Sequence, residues 1–262
     1  MTAFNRANYI DQSIESVLNS TYKNFELIIV DDHSDDATVA VARKYALKDK
    51  RVKIHINEQN LGDYRNRNKA ASFSVGKYIK YLDSDDLIYY YGLEVMVNYM
   101  EQFPEAGFGL SSLANTDRPL PVLLSPRESY LEHFNGFAHF DRAPGSSIIR
   151  LDAFNKVGGF TGTRMIGDHE FWFKIARHFS MVKFPRDLCW DRNHSGQESK
   201  SAYAKNYPAL RNKIVMEALA SPDCPLDAHE IASVKRLIKR KERKNIFFKR
   251  ISQIKSTLKN DF

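Results

Sequence analysis

Two clusters of aspartates are the part of this chain best suited to chemistry. The first contains Asp31, Asp32, Asp35 and Asp36, and the second contains Asp83, Asp85 and Asp86. Each cluster comes directly after an apolar run, at 25–30 and at 78–82. Carboxylate oxygens are the ligands that Mg²⁺ and Mn²⁺ prefer, and a cation held by them can in turn hold a diphosphate. Two such clusters in succession favour a functional site.

Aspartates at these places also have a structural explanation. Asp or Ser just before a helix accepts hydrogen bonds from the free N–H groups of the first turn. Asp35 or Asp36 is expected to do so for a helix that starts near Thr38. One cluster alone could therefore be purely structural, which is why the second cluster matters.

The clusters must be positioned by the strands and helices around them. In the first half, strands are predicted at 25–30, 52–56, 78–82 and 108–113, and helices at 9–18, 39–46, 63–74 and 93–103. The second half is less regular, with strands predicted at 146–151 and within 181–190, and helices at 168–179 and 202–219. This alternation predicts an α/β fold with a mostly parallel sheet flanked by helices. Ligands of such sheets bind at the carboxyl ends of the strands, where both clusters lie.

Charge is unevenly distributed along the 262 residues. Residues 235–259 contain eleven Lys or Arg and one acid, Glu242, whereas the rest of the chain has a net charge of −3. An acidic body argues against a nucleic-acid groove, so no nucleic-acid partner is expected. The sequence around residues 221–225 is typical of a boundary. It divides the chain into a domain at 1–225 and a basic helical tail at 226–262.

The tail has the pattern of an amphipathic helix. Its apolar residues fall at steps of four, three and four on one helical face, and they are Phe247, Ile251, Ile254 and Leu258. A basic helix of this kind suits an anionic membrane surface. The alternative is a helix that packs its apolar face on the domain. With two cysteines and no apolar run at its start, the protein is expected to be cytoplasmic, and the basic tail adds the expectation of a peripheral position on the inner face of the membrane.

Five blocks of residues, in this order along the chain, resemble family 2 inverting glycosyltransferases of the GT-A fold. They are Asp31-Asp32-x-Ser34-x-Asp36-x-Thr38, Asn60-x-Gly62 with Arg67-Asn68, Leu82-Asp83-x-Asp85-Asp86, Val157-Gly158-Gly159-Phe160 and Gly167-Asp168-His169-Glu170. The resemblance covers roughly residues 1–200 and implies a GT-A-like domain.

The resemblance also implies roles at the nucleotide and the metal. Thr2, Asp32, Arg67 and Asp83 match residues that bind the nucleotide, with Asp32 at the base. Asp83 and Asp85 match the Asp-x-Asp pair of the metal site, and His194 matches, more loosely, a histidine near the metal or the diphosphate. The implied cation is Mg²⁺ or Mn²⁺.

The implied catalytic base is Asp168. Inverting transfer is a single displacement, and a carboxylate can accept the proton of the acceptor hydroxyl. Taken alone, Asp168 could simply cap the helix predicted at 168–179. Glu170 is the next candidate for the base.

The expected reaction is transfer of a sugar from a nucleotide-sugar, expected to be a UDP-sugar, to a saccharide or lipid-linked saccharide. This chemistry would serve the synthesis of cell-surface polysaccharide or lipopolysaccharide. One departure from the family favours an alternative. The apolar strand that normally precedes the block matched by Thr2-Ala3-Phe4-Asn5 is missing, which would leave neighbouring strands unpaired. The alternative is therefore a truncated, catalytically weak nucleotide-sugar-binding or partner protein.

Overall fold

Strands and helices alternate through the first half of the chain, as the hydrophobic pattern predicts. The computed structural model describes residues 1–112, 118–197, 200, 202–241 and 243. The strands are β1 (Thr2–Ala3), β2 (Leu27–Asp31), β3 (Val52–Ile56), β4 (Tyr78–Ile79), β5 (Leu87–Ile88), β6 (Ala106–Ser111), β7 (Val122–Leu124), β8 (Ser147–Arg150), β9 (Ser180–Phe184) and β10 (Cys189–Trp190).

The α-helices follow the strands closely in the first half and dominate the second. They are α1 (Ile10–Leu18), α2 (Thr38–Ala46), α3 (Asp63–Ser72), α4 (Gly92–Gln102), α5 (Pro126–Glu132), α6 (Leu151–Val157), α7 (Gly167–Ala176) and α8 (Tyr207–Ala220). A π-helical turn spans His133–Phe137, and 3₁₀ turns span Pro144–Ser146 and Ala202–Asn206. A further helix covers residues 228–241. Within the described residues, no helix combines the length and the apolar character needed to cross a bilayer.

The sheet is parallel in the first half and mixed in the second. β1, β2 and β3 form a parallel three-stranded sheet. The second sheet has the order β4-β8-β6-β9-β7, in which only β6 and β9 pair in parallel. A parallel bridge between Thr2 and Asp83 joins the two sheets. The predicted α/β class and GT-A-like architecture are confirmed, and the first aspartate cluster follows β2 of the parallel sheet while the second follows β4 of the mixed sheet.

The sequence predicts that the first strand is missing. The structure contains its last residues, Thr2 and Ala3, which form β1. The backbone N–H of Val30 donates to Met1, and that of Asp32 donates to Ala3. The Met1 nitrogen itself donates to the Ile28 carbonyl at 2.7 Å. Residues 1–3 therefore occupy the position between β2 and the Asp83 segment, and the neighbouring backbone is paired there.

The core of the second half is rich in aromatic side chains. Phe108, Trp172 and Phe173 are almost fully buried between the second sheet and the helices that cover it. Each such side chain contributes about 1.5–3 kcal/mol by leaving water. Trp172 thus packs in the core, whereas Trp190 is 42% exposed.

The helix at 228–241 packs on this core. Leu226 and Val234 are buried in the main hydrophobic cluster, and Arg127 forms an ion pair with Glu230. The division at residue 225 remains a prediction, but a chain cut there would lose part of the core. The apolar stripe at Phe247, Ile251, Ile254 and Leu258 lies outside the described residues.

Candidate active site

The first aspartate cluster shapes the loops at the end of β2. The Asp32 side chain is buried and accepts hydrogen bonds from Asn57 Nδ2 at 2.8 Å and from the backbone N–H groups of Leu61 and Gly62 at 2.8 and 2.9 Å. These bonds hold the Asn60-x-Gly62 turn against the strand end. Asp32 therefore holds the loop at the carboxyl end of β2 in place. Its contact with the nucleobase remains a prediction.

The helix-capping explanation applies to one aspartate of this cluster. Asp36 accepts a hydrogen bond from the backbone N–H of Thr38 at 2.8 Å, at the start of α2. Its other oxygen accepts one from the Ala7 backbone at 3.0 Å. Asp36 therefore has a structural role, as expected for Asp35 or Asp36.

Arg67 connects helix α3 with the second aspartate cluster. The Arg67 side chain is buried, and its Nη2 lies 2.7 Å from Asp83 Oδ1, while Nε lies 2.9 Å from Asp63 Oδ1. Burial opposes the charge, but Asp63 and Asp83 together raise the pKa of Arg67. The permanent charge of Arg67 thus fixes Asp83 beside the Thr2 backbone, so Thr2, Arg67 and Asp83 lie together.

Asp85 is held by two side chains from distant parts of the chain. Its Oδ2 accepts a hydrogen bond from Arg6 Nε at 2.7 Å, and His194 Nε2 lies 3.0 Å from the same oxygen. Arg6 also donates to the carbonyl of Gly196 at 3.3 Å. Arg6 therefore ties the N-terminal loop to Asp85 and to the segment that carries His194. No local pattern in the sequence singles out Arg6.

The hydrogen bonds of His194 indicate its tautomer. The Gly196 backbone N–H donates to His194 Nδ1 at 3.2 Å, so Nδ1 carries a lone pair. In the neutral ring the proton is then on Nε2, which donates to Asp85. For Nε2 to bind a cation instead, the proton would have to leave it, and the Gly196 contact opposes its transfer to Nδ1. This arrangement favours His194 as a hydrogen-bond donor at the metal site, and its predicted role as a ligand remains untested.

Negative charge is concentrated around Asp83 and Asp85. Burial, followed by repulsion from Asp83, Asp85 and Asp191, raises the pKa of Asp86 to about 7. Burial also raises the pKa of Asp191. A divalent cation would relieve this repulsion, and the carboxylate oxygens of Asp83 and Asp85 are the hard ligands that Mg²⁺ and Mn²⁺ prefer. The residues present therefore fit such an ion.

The predicted base lies at the start of α7. The Asp168 carboxyl is half-buried, and burial raises its pKa to about 6, although the hydrogen bond from the His169 backbone and the nearby Tyr64 side chain both act to lower it. Gly167 makes the Tyr64 contact possible, because a Cβ at Gly167 would come within 2.7 Å of the Tyr64 ring. A carboxyl with this pKa is ionised at neutral pH and is still basic enough to accept a proton.

Helix α3 connects the predicted base to the predicted metal site. The Tyr64 side chain lies close enough to Asp168 to lower the pKa of its carboxyl, and Arg67, three residues further along the helix, pairs with Asp83. Residues three apart lie on the same side of a helix. Helix α3 thus contacts both Asp83 and Asp168.

Asn68, one residue further along α3, binds the loop before α7. Its Nδ2 donates to the Phe160 carbonyl at 2.7 Å, and the Phe160 N–H donates to its Oδ1 at 2.9 Å. Gly159 has φ +64°, and a Cβ there would come within 2.6 Å of Asn68 Oδ1. The Gly158-Gly159 pair is therefore a turn that fits Asn68.

The family profile described as Glycosyl transferase family 2 matches residues 1–158. The chain belongs to this family. An uncharacterized glycosyltransferase from Haemophilus influenzae is 38% identical over 228 residues, which cover 82% of this chain and 70% of that protein. Only 14% of the length of a Rickettsia bellii relative, also an uncharacterized glycosyltransferase, is matched, at 42% identity.

Two solved structures show the same fold. S. aureus TarS 1-349 in complex with UDP-GlcNAc has a TM-score of 0.68 and 18% identity, covering 89% of this chain and 68% of that chain. The mannosyltransferase PcManGT from Pyrobaculum calidifontis, in complex with GDP-Man and Mn²⁺, has a TM-score of 0.56 and 15% identity, covering 94% and 79%. These similarities support the GT-A-like fold of this family 2 glycosyltransferase.

Glu170, the alternative base of this glycosyltransferase, faces a different environment. Its Oε2 accepts hydrogen bonds from Thr161 and, at 3.4 Å, from Thr163. Glu170 thus supports the 161–163 loop, whereas Asp168 contacts the helix that holds the metal site. This geometry favours Asp168 as the base.

A group of two histidines and one aspartate, which the sequence did not single out, lies behind Asp168. Potential ligand atoms of His133, Asp141 and His169 lie within 4.8 Å of one another. His169 Nδ1 lies 2.9 Å from the Phe140 carbonyl, and the Phe140 N–H donates to His133 Nδ1 at 3.1 Å. Since the second bond places the His133 proton on Nε2, a metal would have to break it, and a hydrogen-bonded network describes the group better.

Proposed function

We propose that this glycosyltransferase moves a sugar from a UDP-sugar, with inversion and with the help of Mg²⁺ or Mn²⁺, to a hydroxyl of a saccharide or lipid-linked saccharide. One observation carries the proposal. A pair of aspartates suited to a cation, Asp83 and Asp85, is connected through a single helix to a separate carboxylate, Asp168. Single displacement at an anomeric carbon requires these two kinds of group.

The proposed roles at the donor follow from the contacts. Arg67 holds Asp83, and Asp85 lies between Arg6 and His194. When bound, the cation would neutralise the negative charge that develops on the leaving nucleoside diphosphate. Arg6 and His194, both beside Asp85, add donors that a phosphate oxygen can use. Asp32 and the turn that it holds form the expected place of the base.

The proposed role of Asp168 is to remove one proton. Its ionised carboxylate accepts the proton of the acceptor hydroxyl, the hydroxyl oxygen forms the new bond to the anomeric carbon, and the bond to the diphosphate breaks. Tyr64 and the His169 N–H keep the carboxylate oriented during this step. The approach of the acceptor from the side opposite the diphosphate accounts for the inversion.

The charge of the tail supports a proposal for the localisation of the protein and for its acceptor. Residues 235–259 carry a net charge of +10, which suits an anionic membrane surface. We propose a cytoplasmic protein that lies peripherally on the inner face of the membrane, where a lipid-linked acceptor would be available, with a role in cell-surface polysaccharide synthesis. Two relatives of this chain support a role in polysaccharide synthesis. They are the putative glycosyltransferase EpsE and the putative teichuronic acid biosynthesis glycosyltransferase TuaG of Bacillus subtilis.

A thermal-shift screen of nucleotides and nucleotide-sugars, with and without Mn²⁺, tests the proposal. A ligand at about 100 times its Kd stabilises the folded state by about 2.7 kcal/mol. We expect UDP and at least one UDP-sugar to raise the melting temperature only when Mn²⁺ or Mg²⁺ is present, and hydrolysis of that sugar to require the same ion. If no uridine nucleotide has an effect with either ion, the UDP-sugar proposal is wrong.

A further inference from the structure

Arg142 lies beside the base-bearing helix, and its backbone is firmly held. Its carbonyl accepts a hydrogen bond from Trp172 Nε1 at 2.7 Å, on helix α7. The preceding residue, Asp141, accepts two hydrogen bonds from Arg211, at 3.1 and 2.8 Å. The position from which the Arg142 side chain extends is therefore fixed.

The guanidinium of Arg142 has donors that the protein does not use. Nε and Nη2 are both shielded from solvent, and among the residues that the structure describes neither has a hydrogen-bond partner. These two nitrogens form the edge of the guanidinium that binds a carboxylate or a phosphate with two parallel hydrogen bonds. A buried donor without a partner costs roughly 1–3 kcal/mol, and more when it is charged. A bound anion would remove this cost.

A second arginine strengthens the preference for an anion. Arg186 is exposed, and it lies close enough to repel Arg142. Burial, followed by this repulsion, lowers the pKa of Arg142. The nearest negative charges are Asp141, which is already paired with Arg211, and Asp191, whose own pKa is raised by burial. Asp141 and Asp191 therefore offset only part of the positive charge that Arg142 and Arg186 bring to this region.

The location connects this pair to the reaction. Asp191 interacts both with the two arginines and with Asp83 of the metal site. On the other side, Asp141 and Asp168 both act on Tyr207, whose pKa burial raises to about 12. Since the Arg142 carbonyl accepts a hydrogen bond from Trp172 of the base-bearing helix, an anion bound by Arg142 would lie beside that helix.

We propose that Arg142 and Arg186 form an anion subsite that binds a phosphate or carboxylate group of a substrate. The inference rests on the proposed function and adds a substrate class to it. The anionic group could belong to the acceptor, as in a sugar or polyol phosphate, or to the diphosphate of the donor. Both sources share the chemistry of an oxyanion with two acceptor oxygens, and the experiment separates them.

The test measures two affinities by titration calorimetry on the full chain, in the presence of Mg²⁺. The first is the affinity for UDP compared with that for uridine, and the second is the affinity for inorganic phosphate when UDP is saturating. The variants are Arg142→Ala and Arg186→Ala, and Arg43→Ala, an exposed arginine on α2, controls for the loss of one positive charge. If wild-type protein does not bind UDP, the proposed function fails before the subsite is tested.

For an acceptor subsite, we expect phosphate to bind the wild-type UDP complex, and Arg142→Ala to weaken this binding about tenfold or more while UDP affinity stays unchanged. If the subsite binds the donor, Arg142→Ala lowers the affinity for UDP about tenfold but not that for uridine. Arg43→Ala should change neither. The proposal is overturned if wild type binds UDP and both affinities stay within about twofold in Arg142→Ala and Arg186→Ala. If Arg142→Ala does not fold, Arg186→Ala, with its exposed side chain, decides by the same criteria.

Discussion

His194 Nε2 lies 3.0 Å from Asp85 Oδ2, although 109 residues separate them in the chain. With Arg6 on the same oxygen, three distant segments meet at one carboxylate. The site that we assign to the metal is therefore also a junction of the fold. Variants at this position must be tested for folding as well as for activity.

Asp85→Asn should remove metal-dependent activity and leave the domain folded. The amide keeps the shape of the side chain but brings no negative charge to a cation. We expect turnover of the donor with Mn²⁺ to fall about 100-fold or more, with a melting temperature close to that of wild type. Asp35→Asn is the matched control, because Asp35 is an exposed aspartate of the other cluster. Near-normal turnover of Asp85→Asn would remove Asp85 from the metal site.

Asp168→Asn should abolish transfer while sparing donor binding. A general base contributes roughly 100- to 10,000-fold, and it acts on the acceptor and not on the nucleotide. We expect this loss in kcat with an unchanged Kd for UDP measured by calorimetry. Glu170→Gln, two residues away, should lose much less activity. The opposite order of the two variants would make Glu170 the base.

The rate should depend on pH through the ionisation of Asp168. Only the ionised carboxylate can accept a proton, and burial raises the pKa of Asp168 to about 6. We therefore expect kcat/KM to be constant at higher pH and to fall about tenfold per unit below pH 6. A profile of kcat/KM between pH 5 and about 8 measures this. A fall that begins only near the ordinary carboxyl pKa of about 4 would contradict the assignment.

The same raised pKa implies that Asp168 destabilises the folded state when it is ionised. The folded protein binds this proton more tightly than the unfolded chain does, so stability is lost as pH rises from the ordinary value of 3.8 through about 6. Asp168→Asn should therefore melt at a higher temperature than wild type above pH 7, and the difference should shrink as pH falls towards 4. Melting curves at several pH values check this. An equal difference at every pH would mean that the effect does not come from ionisation.

Membrane binding should depend on the basic end of the chain. We expect the full chain to sediment with anionic vesicles at low salt, since each Lys or Arg near such a surface contributes about 1 kcal/mol. A chain ending at Arg243 keeps Leu226 and Val234 in the core and should bind less. Neutral vesicles and high salt are the controls. If the full chain stays in the supernatant with anionic vesicles, the membrane proposal should be abandoned.

The elements around the aspartate clusters could be predicted because their signals are local. β2 is a buried strand that ends in Asp31, and α3 and α7 show helical patterns that place Arg67 and Asp168. The resemblance to family 2 glycosyltransferases then implied a role for each of these residues. Short apolar runs followed by acids are enough for this level of prediction.

The contacts that complete the site could not be predicted in the same way. Arg6 is one arginine among many exposed ones until the fold brings Asp85 to it. β5 and β10 have two residues each, which is too short for any periodicity. The pairing of Tyr64 with Asp168 depends on a glycine at 167, and no local rule links those positions. Such long-range pairs follow from tertiary packing, which overrides local preference.

The two hydrogen bonds between Asn68 and Phe160 span 92 residues and join helix α3 to the loop ahead of α7. That helix also carries Tyr64 and Arg67, so it sets the distance between Asp168, the proposed base, and Asp83 of the proposed metal site. A helix of fixed length keeps the distance between these two groups constant while the loops around it diverge. The same fold could therefore accept a different sugar or acceptor while the spacing of its reactive groups stays the same.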